Sequence, residues 1–264
     1  MKKFLVIGNP IQHSLSPKLH NYWFKKKKIN AIYDKKEISE KDINSIISDI
    51  KNEKISGINV TVPFKKKVIP FMDKLSPEAN ESQSVNTIYF QDGSLIGHNT
   101  DISGFELSIK YLKYNVKNKT VFILGAGGVV SSIILALKKM GATKIILSNR
   151  TKSKAEDLKN KFNELKIIDW GETPNFDMII NATSIGLKNE DGIKLDYSLI
   201  EPNKFFYDVI YNPKETIFLK RAKLFGNRAE NGKMMFIYQA HQAFTVWHEL
   251  MPEIDQEVIN LLDK

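Results

Sequence analysis

The strongest constraint on the fold is the alternation of short apolar runs with longer stretches of helical periodicity along most of the chain. This alternation is typical of a mostly parallel β-sheet covered by helices. In the first part of the chain, strands are predicted near residues 5–8, 31–33, 55–60 and 85–90. Helices are predicted near 17–27 and 40–52, the second with a capping box at Ser39 and Asp42, and a short helix is predicted after Pro63.

The alternation continues in the second part of the chain. A strand at 120–124 leads into the glycine turn GAGG at 125–128 and a helix ending near 139. A strand, a glycine turn and a helix in this order predict a Rossmann-like unit. The last helices, near 232–249 and 254–262, are compatible with either part, and the sequence as a whole predicts an α/β chain of two domains. Further strands of the second part are predicted at 144–148, 178–181 and 205–209.

The composition excludes several classes of protein. The chain has 264 residues and 42% hydrophobic content, which is enough for one large domain or two modest ones. It contains no cysteine, which excludes a disulfide framework, a thiolate nucleophile and cysteine-based zinc sites. The apolar start of the chain ends at Gly8, too soon for a signal peptide, and no run approaches membrane-spanning length. We therefore expect a cytoplasmic protein without a membrane partner.

The positive charge of the chain is carried by lysine rather than arginine. The formal net charge is +9, yet the only arginines are Arg150, Arg221 and Arg228. Proteins that read nucleic acids rely on arginine for bidentate contacts. We therefore expect lysine-rich solvated faces and no nucleic-acid partner. The five histidines show no convincing ligand spacing, so no metal site is expected.

Polar side chains follow several of the predicted apolar segments. The run GINVTVPFK at 57–65 places Asn, Thr and Lys at the end of an apolar strand, SLSP at 14–17 follows the first strand, and NTD at 99–101 follows VNT at 85–87. Hydrogen-bonding groups at the end of an apolar strand are typical of a ligand site. Taken singly, Ser-x-Ser before proline is also an ordinary helix cap, Lys65 one more solvated lysine, and Asp101 a helix-terminal carboxylate.

The glycine turn offers small residues where a backbone can approach a pyrophosphate at a helix N-terminus. By itself it is also compatible with a tight strand-to-helix connection, and Val130 stands where the common fingerprint has Gly or Ala. After the next strand, where an NAD enzyme has an acidic residue, the chain has Asn149, Arg150 and Thr151, with Lys154 one turn on. A guanidinium attracts a 2′-phosphate, so this segment favours NADP(H) as cofactor over a mere surface arginine.

Together these segments resemble the shikimate/quinate dehydrogenase family over almost the whole chain. The runs VTVPFK at 60–65, NRT at 149–151 and NATS at 181–184 are similar to motifs of that family. The resemblance implies NADPH-dependent reduction of 3-dehydroshikimate to shikimate in aromatic amino-acid and chorismate biosynthesis, by a monomer or homodimer whose partner is a small-molecule substrate. It also implies a substrate-binding and catalytic domain at 1–101, a Rossmann-like NADP-binding domain at 102–231, and C-terminal helices at 232–264 that return to the first domain.

Reduction of a carbonyl by a nicotinamide needs a hydride donor, a proton donor and polar groups that fix the substrate. Lys65 is the best candidate proton donor, and the resemblance places Asp101 opposite it, where it orients the ammonium group. The resemblance assigns the substrate carboxylate to Ser14, Ser16 and Tyr211, and the ring hydroxyls to Asn59, Thr61, Lys65, Asn86, Asp101 and Gln239. The implied cofactor contacts are Gly125, Ala126, Gly127, Gly128, Val129, Asn149, Arg150, Thr151, Lys154, Ala182, Thr183, Ser184 and Gly232.

Two alternative functions remain open at this point. One is a quinate/shikimate dehydrogenase that uses NAD, against which Arg150 and the hydroxyl pair of Ser14 and Ser16 argue. The other is a non-catalytic sensor that binds shikimate or NADP. The presence of both Lys65 and Asp101 argues against a sensor, since a pure binder needs no proton-transfer pair.

One segment departs from the family's pattern. The family usually has Gly-x-Gly-Met near the start of the last long helix, whereas this chain has GKMM at 232–235. Met234 therefore stands at the second glycine. In the family that backbone lies near the nicotinamide, so the departure concerns how the nicotinamide ring is seated.

Overall fold

The computed structural model describes residues 1–188 and 192–263. They form two compact units, one made of Met1–Phe105 with the chain from Ile237 onward, the other of Glu106–Phe236. Each unit contains a six-stranded sheet. The predicted fold class, an α/β chain of two domains whose C-terminal helices return to the first, is confirmed. The functional boundaries predicted at 101/102 and 231/232 stay predictions.

The secondary-structure elements are numbered along the chain. The strands are β1 Lys2–Gly8, β2 Ala31–Glu37, β3 Gly57–Val60, β4 Lys74–Leu75, β5 Thr87–Gln91, β6 Ser94–His98, β7 Thr120–Leu124, β8 Lys144–Ser148, β9 Lys166–Ile168, β10 Met178–Asn181, β11 Phe205–Asp208 and β12 Arg228–Glu230. The α-helices are α1 Ser16–Lys26, α2 Ile43–Lys51, α3 Pro77–Ser82, α4 Asp101–Tyr111, α5 Val130–Lys139, α6 Lys152–Lys161, α7 Ile217–Leu224, α8 Lys233–His248 and α9 Gln256–Leu261.

The first sheet is mixed and has the strand order β2-β1-β3-β5-β6-β4. Strand β1 is parallel to β2 and β3, whereas β5 is antiparallel to both β3 and β6. Side chains of β1 alternate between two faces. Leu5 and Ile7 join an aliphatic cluster with α2, whereas the Phe4 ring lies 5.6 Å from Phe24 of α1 and 4.8 Å from Trp247 of α8. Helices therefore cover both faces of this sheet.

Helix α2 begins as the sequence predicts. The backbone N–H of Ser39 donates to Oδ2 of Asp42 at 2.7 Å, which confirms the capping box, and a 3₁₀ turn at Glu40–Asp42 leads into the helix. Isoleucines with a three- and four-residue spacing form its buried face: Ile43, Ile46, Ile47 and Ile50.

The second sheet is entirely parallel and has the strand order β12-β11-β10-β7-β8-β9. The chain passes from β7 to β8 on one side and later returns to place β10 on the other side of β7. The carboxyl ends of β7 and β10 thus form a topological switch point, where ligands bind in open α/β sheets. Helix α5, which follows β7, has eight consecutive buried residues from Val130 to Leu137.

The short helix predicted directly after Pro63 is wrong. Residues 65–68 form turns, and the first helical geometry is a 3₁₀ turn at Ile69–Phe71. The carbonyl of Lys65 accepts a hydrogen bond from the N–H of Val85 at 2.9 Å, so it is bonded to the segment that leads into β5 rather than within a helix. This bond fixes the backbone at Lys65. No helix in the described part of the chain is both long and apolar enough to cross a membrane.

Candidate active site

Lys65 lies in the turn after β3 and forms a buried ion pair. Its Nζ atom is 2.6 Å from Oδ2 of Asp101, and the two side chains are only 11% and 6% exposed. Its neighbours Lys66 and Lys67 are exposed, and Lys67 pairs with Glu40. The structure therefore separates Lys65 from the solvated lysines of the same run and places it beside Asp101, the residue that the family resemblance puts opposite it.

Asp101 is the first residue of α4, but another residue caps that helix. Oδ1 of Asn99 accepts hydrogen bonds from the backbone N–H groups of Asp101, at 3.0 Å, and Ile102, at 3.3 Å. Because Asn99 satisfies these helix donors, the Asp101 carboxylate is available to the Lys65 ammonium. Asp101 is thus a helix-terminal carboxylate that also pairs with Lys65.

Asn86 holds the second oxygen of Asp101. Its Nδ2 atom donates to Oδ1 of Asp101 at 3.0 Å and to Oγ1 of Thr100 at 2.9 Å. Its Oδ1 atom accepts from the N–H of Thr100 at 2.8 Å. Both oxygens of Asp101 therefore have buried partners, one a cation and one an amide. This arrangement fixes the ammonium group of Lys65 in one position.

The other residues predicted to bind the substrate in this unit lie on neighbouring segments. The N–H of Thr61 donates to the carbonyl of Ile7 at 2.9 Å, so the end of β1, which leads to Ser14, is joined to the turn after β3. Ser16 is buried, and its N–H is 3.3 Å from Oγ of Ser14. Gln239 of α8 lies against Gly104 of α4, where an added Cβ would approach its Cβ to 2.8 Å.

Burial lowers the pKa of four of the five histidines. Burial lowers the pKa of His20 to about 3 and that of His248 to about 4, so both rings are neutral near pH 7. Burial also lowers the pKa of His98 and His241. Within residues 1–188 and 192–263, no group of three His, Cys, Asp or Glu side chains is placed to hold a metal ion.

In the second unit, the glycine turn lies at the switch point of the parallel sheet. Gly125 has φ +111°, and a Cβ there would lie 2.8 Å from the carbonyl oxygen of Ala182, so only glycine fits. Gly127 is exposed, and an added Cβ would meet no heavy atom closer than 3.9 Å. Helix α5 then starts after Val129 without a side-chain cap. These features allow a pyrophosphate to approach the backbone at the start of α5, and the half-buried Ala126 and Gly128 complete the turn.

Arg150 follows β8 and is exposed. It makes no hydrogen bond or ion pair with any other residue that the structure describes, whereas Lys152 beside it pairs with Asp169 at 2.8 Å. Nδ2 of Asn149 donates to the carbonyl of Thr151 at 2.8 Å, which shapes the turn that carries Arg150. Lys154 is also exposed. The guanidinium is therefore free to bind a phosphate group.

Two residues that received no role in the sequence analysis, although one of them begins the NATS run, hold the segment Ala182, Thr183 and Ser184. Oδ1 of Asn181 accepts from the N–H of Thr183 at 3.0 Å and from its hydroxyl at 2.7 Å, and Nδ2 of Asn181 donates to Oδ1 of Asp208 at 3.0 Å. Asp208 is fully buried, and burial raises its pKa to about 6. A polar residue at the end of each apolar strand, β10 and β11, was the signal available in the sequence.

Gly232 and Tyr211 lie near the end of β11 in the same unit. An added Cβ at Gly232 would lie 2.1 Å from the carbonyl oxygen of Val209, so a glycine is required for this approach. The ring of Tyr211 stacks on Phe236 with a centroid distance of 4.3 Å. Met234, which stands at the second glycine of the family pattern, is buried.

A parallel sheet with a glycine turn at its switch point, and a second α/β unit with a buried lysine–aspartate pair, define a two-domain oxidoreductase that uses a dinucleotide. The family model described as Shikimate dehydrogenase substrate binding domain matches residues 6–88, and the model described as Shikimate / quinate 5-dehydrogenase matches residues 106–187. The chain belongs to the shikimate dehydrogenase family.

Relatives in this family match the chain over its full length. Shikimate dehydrogenase (NADP(+)) of Pelagibacter ubique (strain HTCC1062) is 64% identical over 262 residues, 99% of each chain. The crystal structure of shikimate dehydrogenase from Aquifex aeolicus has a TM-score of 0.91 and 38% identity and covers 100% of this chain and 98% of its own. Shikimate 5-dehydrogenase from Thermus thermophilus, solved in complex with NADP(H) and shikimate, has a TM-score of 0.90 and 28% identity, with coverage of 100% and 99%.

Proposed function

We propose that this protein reduces 3-dehydroshikimate to shikimate with NADPH, a step of aromatic amino-acid biosynthesis. The observation that carries the proposal is the buried pair of Lys65 and Asp101, whose atoms are 2.6 Å apart. A relative with 64% identity over the whole chain is named Shikimate dehydrogenase (NADP(+)). We further propose a cytoplasmic monomer or homodimer that acts on a small molecule without a nucleic-acid partner, because its charge is mostly lysine.

The second unit fits NADP(H). The glycine turn and the uncapped start of α5 can take the pyrophosphate, and Arg150 with Lys154 can take the 2′-phosphate. The residues proposed for the nicotinamide side are Ala182, Thr183, Ser184 and Gly232. Bound NADPH supplies the hydride for the ring carbonyl.

The first unit supplies the proton and holds the substrate. The Lys65 ammonium donates a proton to the carbonyl oxygen as that oxygen gains negative charge. Asp101 keeps the ammonium in place and accepts a bond from a substrate hydroxyl, while Asn86 fixes the Asp101 carboxylate. Neutral hydroxyls of Ser14 and Ser16, with that of Tyr211 from the second unit as an additional donor, are proposed to bind the substrate carboxylate. The residues proposed for the ring hydroxyls are Asn59, Thr61, Lys65, Asn86, Asp101 and Gln239.

The direct test is the oxidation of NADPH by the purified protein with 3-dehydroshikimate as substrate. Assays with NADH, and with 3-dehydroquinate in place of 3-dehydroshikimate, separate the proposed enzyme from a quinate/shikimate dehydrogenase. We expect the highest kcat/KM with NADPH and 3-dehydroshikimate. The absence of NADPH oxidation from neutral to alkaline pH, together with calorimetric binding of shikimate, would instead indicate a sensor.

A further inference from the structure

We infer that Tyr33 is a positioning residue, which acts through Asn59 and Asn86 on the Lys65–Asp101 pair. The inference rests on the proposed function. Tyr33 lies on β2 and is only 1% exposed. Its ring stacks on the buried ring of His20, with a centroid distance of 4.3 Å and an angle of 5° between the planes. The ring is therefore held in place by packing, and its hydroxyl has a defined direction.

The Tyr33 hydroxyl holds the side-chain oxygen of Asn59. It donates to Oδ1 of Asn59 at 2.6 Å. Nδ2 of Asn59 donates its two hydrogens to the carbonyl of Asn86 at 3.1 Å and to Oγ1 of Thr87 at 3.0 Å. A flipped amide would set its oxygen against the carbonyl oxygen of Asn86, which has no hydrogen to donate. The Asn86 carbonyl thus selects this orientation, which presents Oδ1 of Asn59 to the Tyr33 hydroxyl.

An unbroken series of buried hydrogen bonds leads from Tyr33 to Lys65. Asn59 holds the backbone carbonyl of Asn86, and the Asn86 side chain donates to Oδ1 of Asp101 at 3.0 Å. Oδ2 of Asp101 accepts from Nζ of Lys65 at 2.6 Å. Each residue of the series fixes the position of the next, because a buried polar group cannot replace a lost partner with a hydrogen bond to water. Tyr33 therefore sets the geometry of the proton donor without contact with the substrate.

The same bonds define what Asn59 can offer a ligand. Both of its amide hydrogens are used within the protein, so only a lone pair on Oδ1 remains. Asn59 can accept a hydrogen bond from a substrate hydroxyl but cannot donate one to a carbonyl. Without the Tyr33 hydroxyl, Oδ1 of Asn59 loses the buried donor that fixes its position, whereas the two amide hydrogens keep their partners.

The test is Tyr33→Phe, which removes the hydroxyl and keeps the ring that stacks on His20. We expect kcat with 3-dehydroshikimate to fall about tenfold, the size of one lost buried hydrogen bond, with an unchanged KM for NADPH. The matched control is Tyr89→Phe on β5, because the Tyr89 hydroxyl has no hydrogen-bond partner in the described part of the chain. Tyr89→Phe should retain the wild-type kcat.

A double-mutant cycle separates positioning from general stability. In an Asn59→Ala background, Tyr33→Phe should lower kcat less than about twofold, since the path through Asn59 is already broken. Independent, multiplicative losses in the two variants would overturn the inference, and so would wild-type kcat in Tyr33→Phe.

A measurement that needs no turnover is the NMR chemical shift of the Asn59 and Asn86 side-chain amides. These shifts should change in Tyr33→Phe and remain unchanged in Tyr89→Phe. Unchanged shifts overturn the inference, whereas an inactive wild-type protein with changed shifts overturns only the proposed function.

Discussion

At the residue scale, Lys65 and Asp101 are distinguished by burial rather than by residue type. Taking an ion pair out of water costs desolvation free energy that the attraction between the charges often fails to offset. A buried pair whose carboxylate is hydrogen-bonded at both oxygens is therefore better explained by chemistry than by stability. Its partners in the structure, Asn86 and Asn99, are themselves buried polar residues with defined bonds.

Arg150 gives the first prediction at this scale. Arg150→Ala should raise the KM for NADPH roughly tenfold to a hundredfold, because a charge-assisted hydrogen bond contributes about 1.5 to 3 kcal/mol. NADH lacks the 2′-phosphate, so its KM should hardly change. Steady-state kinetics with both cofactors measure the ratio of the KM for NADPH to the KM for NADH.

The matched control is Arg221→Ala, which removes an exposed arginine from α7 of the same unit. It should leave both KM values unchanged. If Arg150→Ala weakened NADPH and NADH equally, the arginine would stack on the adenine or support the fold, and its assignment to the 2′-phosphate would be wrong.

At the scale of elements, the sequence predicts the strands that carry the site but not the whole of either sheet. The strand β6 was missed although Asp92 and Gly93, both with positive φ, form a turn typical of a hairpin. The short β4 and β12 have too few residues for a period to be recognised. The helix expected after Pro63 does not form, because the carbonyl of Lys65 bonds to Val85, a long-range contact that no local pattern reveals.

The supporting residues of the site were missed for a similar reason. Tyr33, Asn181 and Asp208 are polar residues whose roles depend on partners distant in the chain, whereas Asn99 caps α4 through the nearby N–H groups of Asp101 and Ile102. A motif marks the residues that contact a ligand, whereas the bonds behind them become visible only when strands are placed side by side. Asn181 and Asp208, for instance, are opposite each other in the register of β10 and β11.

The glycine turn gives a prediction at the element scale. Gly125→Ala places an alanine at a positive φ and brings its Cβ against the carbonyl of Ala182. Gly171→Ala also places an alanine at a positive φ, but its Cβ meets no atom within 4 Å. The strain of φ alone costs on the order of 1 kcal/mol. We expect a modest fall in Tm for Gly171→Ala, and a larger fall with a raised KM for NADPH for Gly125→Ala. Equal falls in Tm with an unchanged KM would contradict the account of this turn.

At the scale of the whole molecule, two buried groups give the stability opposite dependences on pH. Burial lowers the pKa of His20 from 6.5 to about 3, and neither ring nitrogen has a hydrogen-bond partner among the described residues. Below pH 6.5 the unfolded chain binds a proton that the folded protein excludes, so stability is lost as the pH falls. Burial raises the pKa of Asp208 from 3.8 to about 6. The folded protein therefore holds a proton that the unfolded chain releases, and stability is lost as the pH rises from about 4 toward 6.

His20→Phe and Asp208→Asn should therefore change the pH profile in opposite directions. His20→Phe keeps a flat ring and should flatten the fall in the free energy of unfolding below pH 6.5, where each group contributes a slope of up to about 1.4 kcal/mol per pH unit. Asp208→Asn should remove the loss between pH 4 and 6, approximately the range between its unfolded and folded pKa values. Urea unfolding across these pH values measures both effects. If the free energy of unfolding depended on pH in the same way for wild type and variants, His20 and Asp208 would not be the cause of that dependence.

The central claim is that Lys65 donates the proton in the reduction of 3-dehydroshikimate, and a comparison of Lys65→Ala with Lys66→Ala tests it most directly. The two residues are neighbours with the same charge, but Lys65 is buried against Asp101 and Lys66 is exposed. With thermal unfolding showing that both variants are folded, Lys65→Ala should lower kcat about a hundredfold or more while the KM for NADPH changes little, and Lys66→Ala should keep the wild-type kcat. An equal loss of kcat in the two variants would mean that general positive charge supports the reaction, and would contradict the assignment of the proton to Lys65.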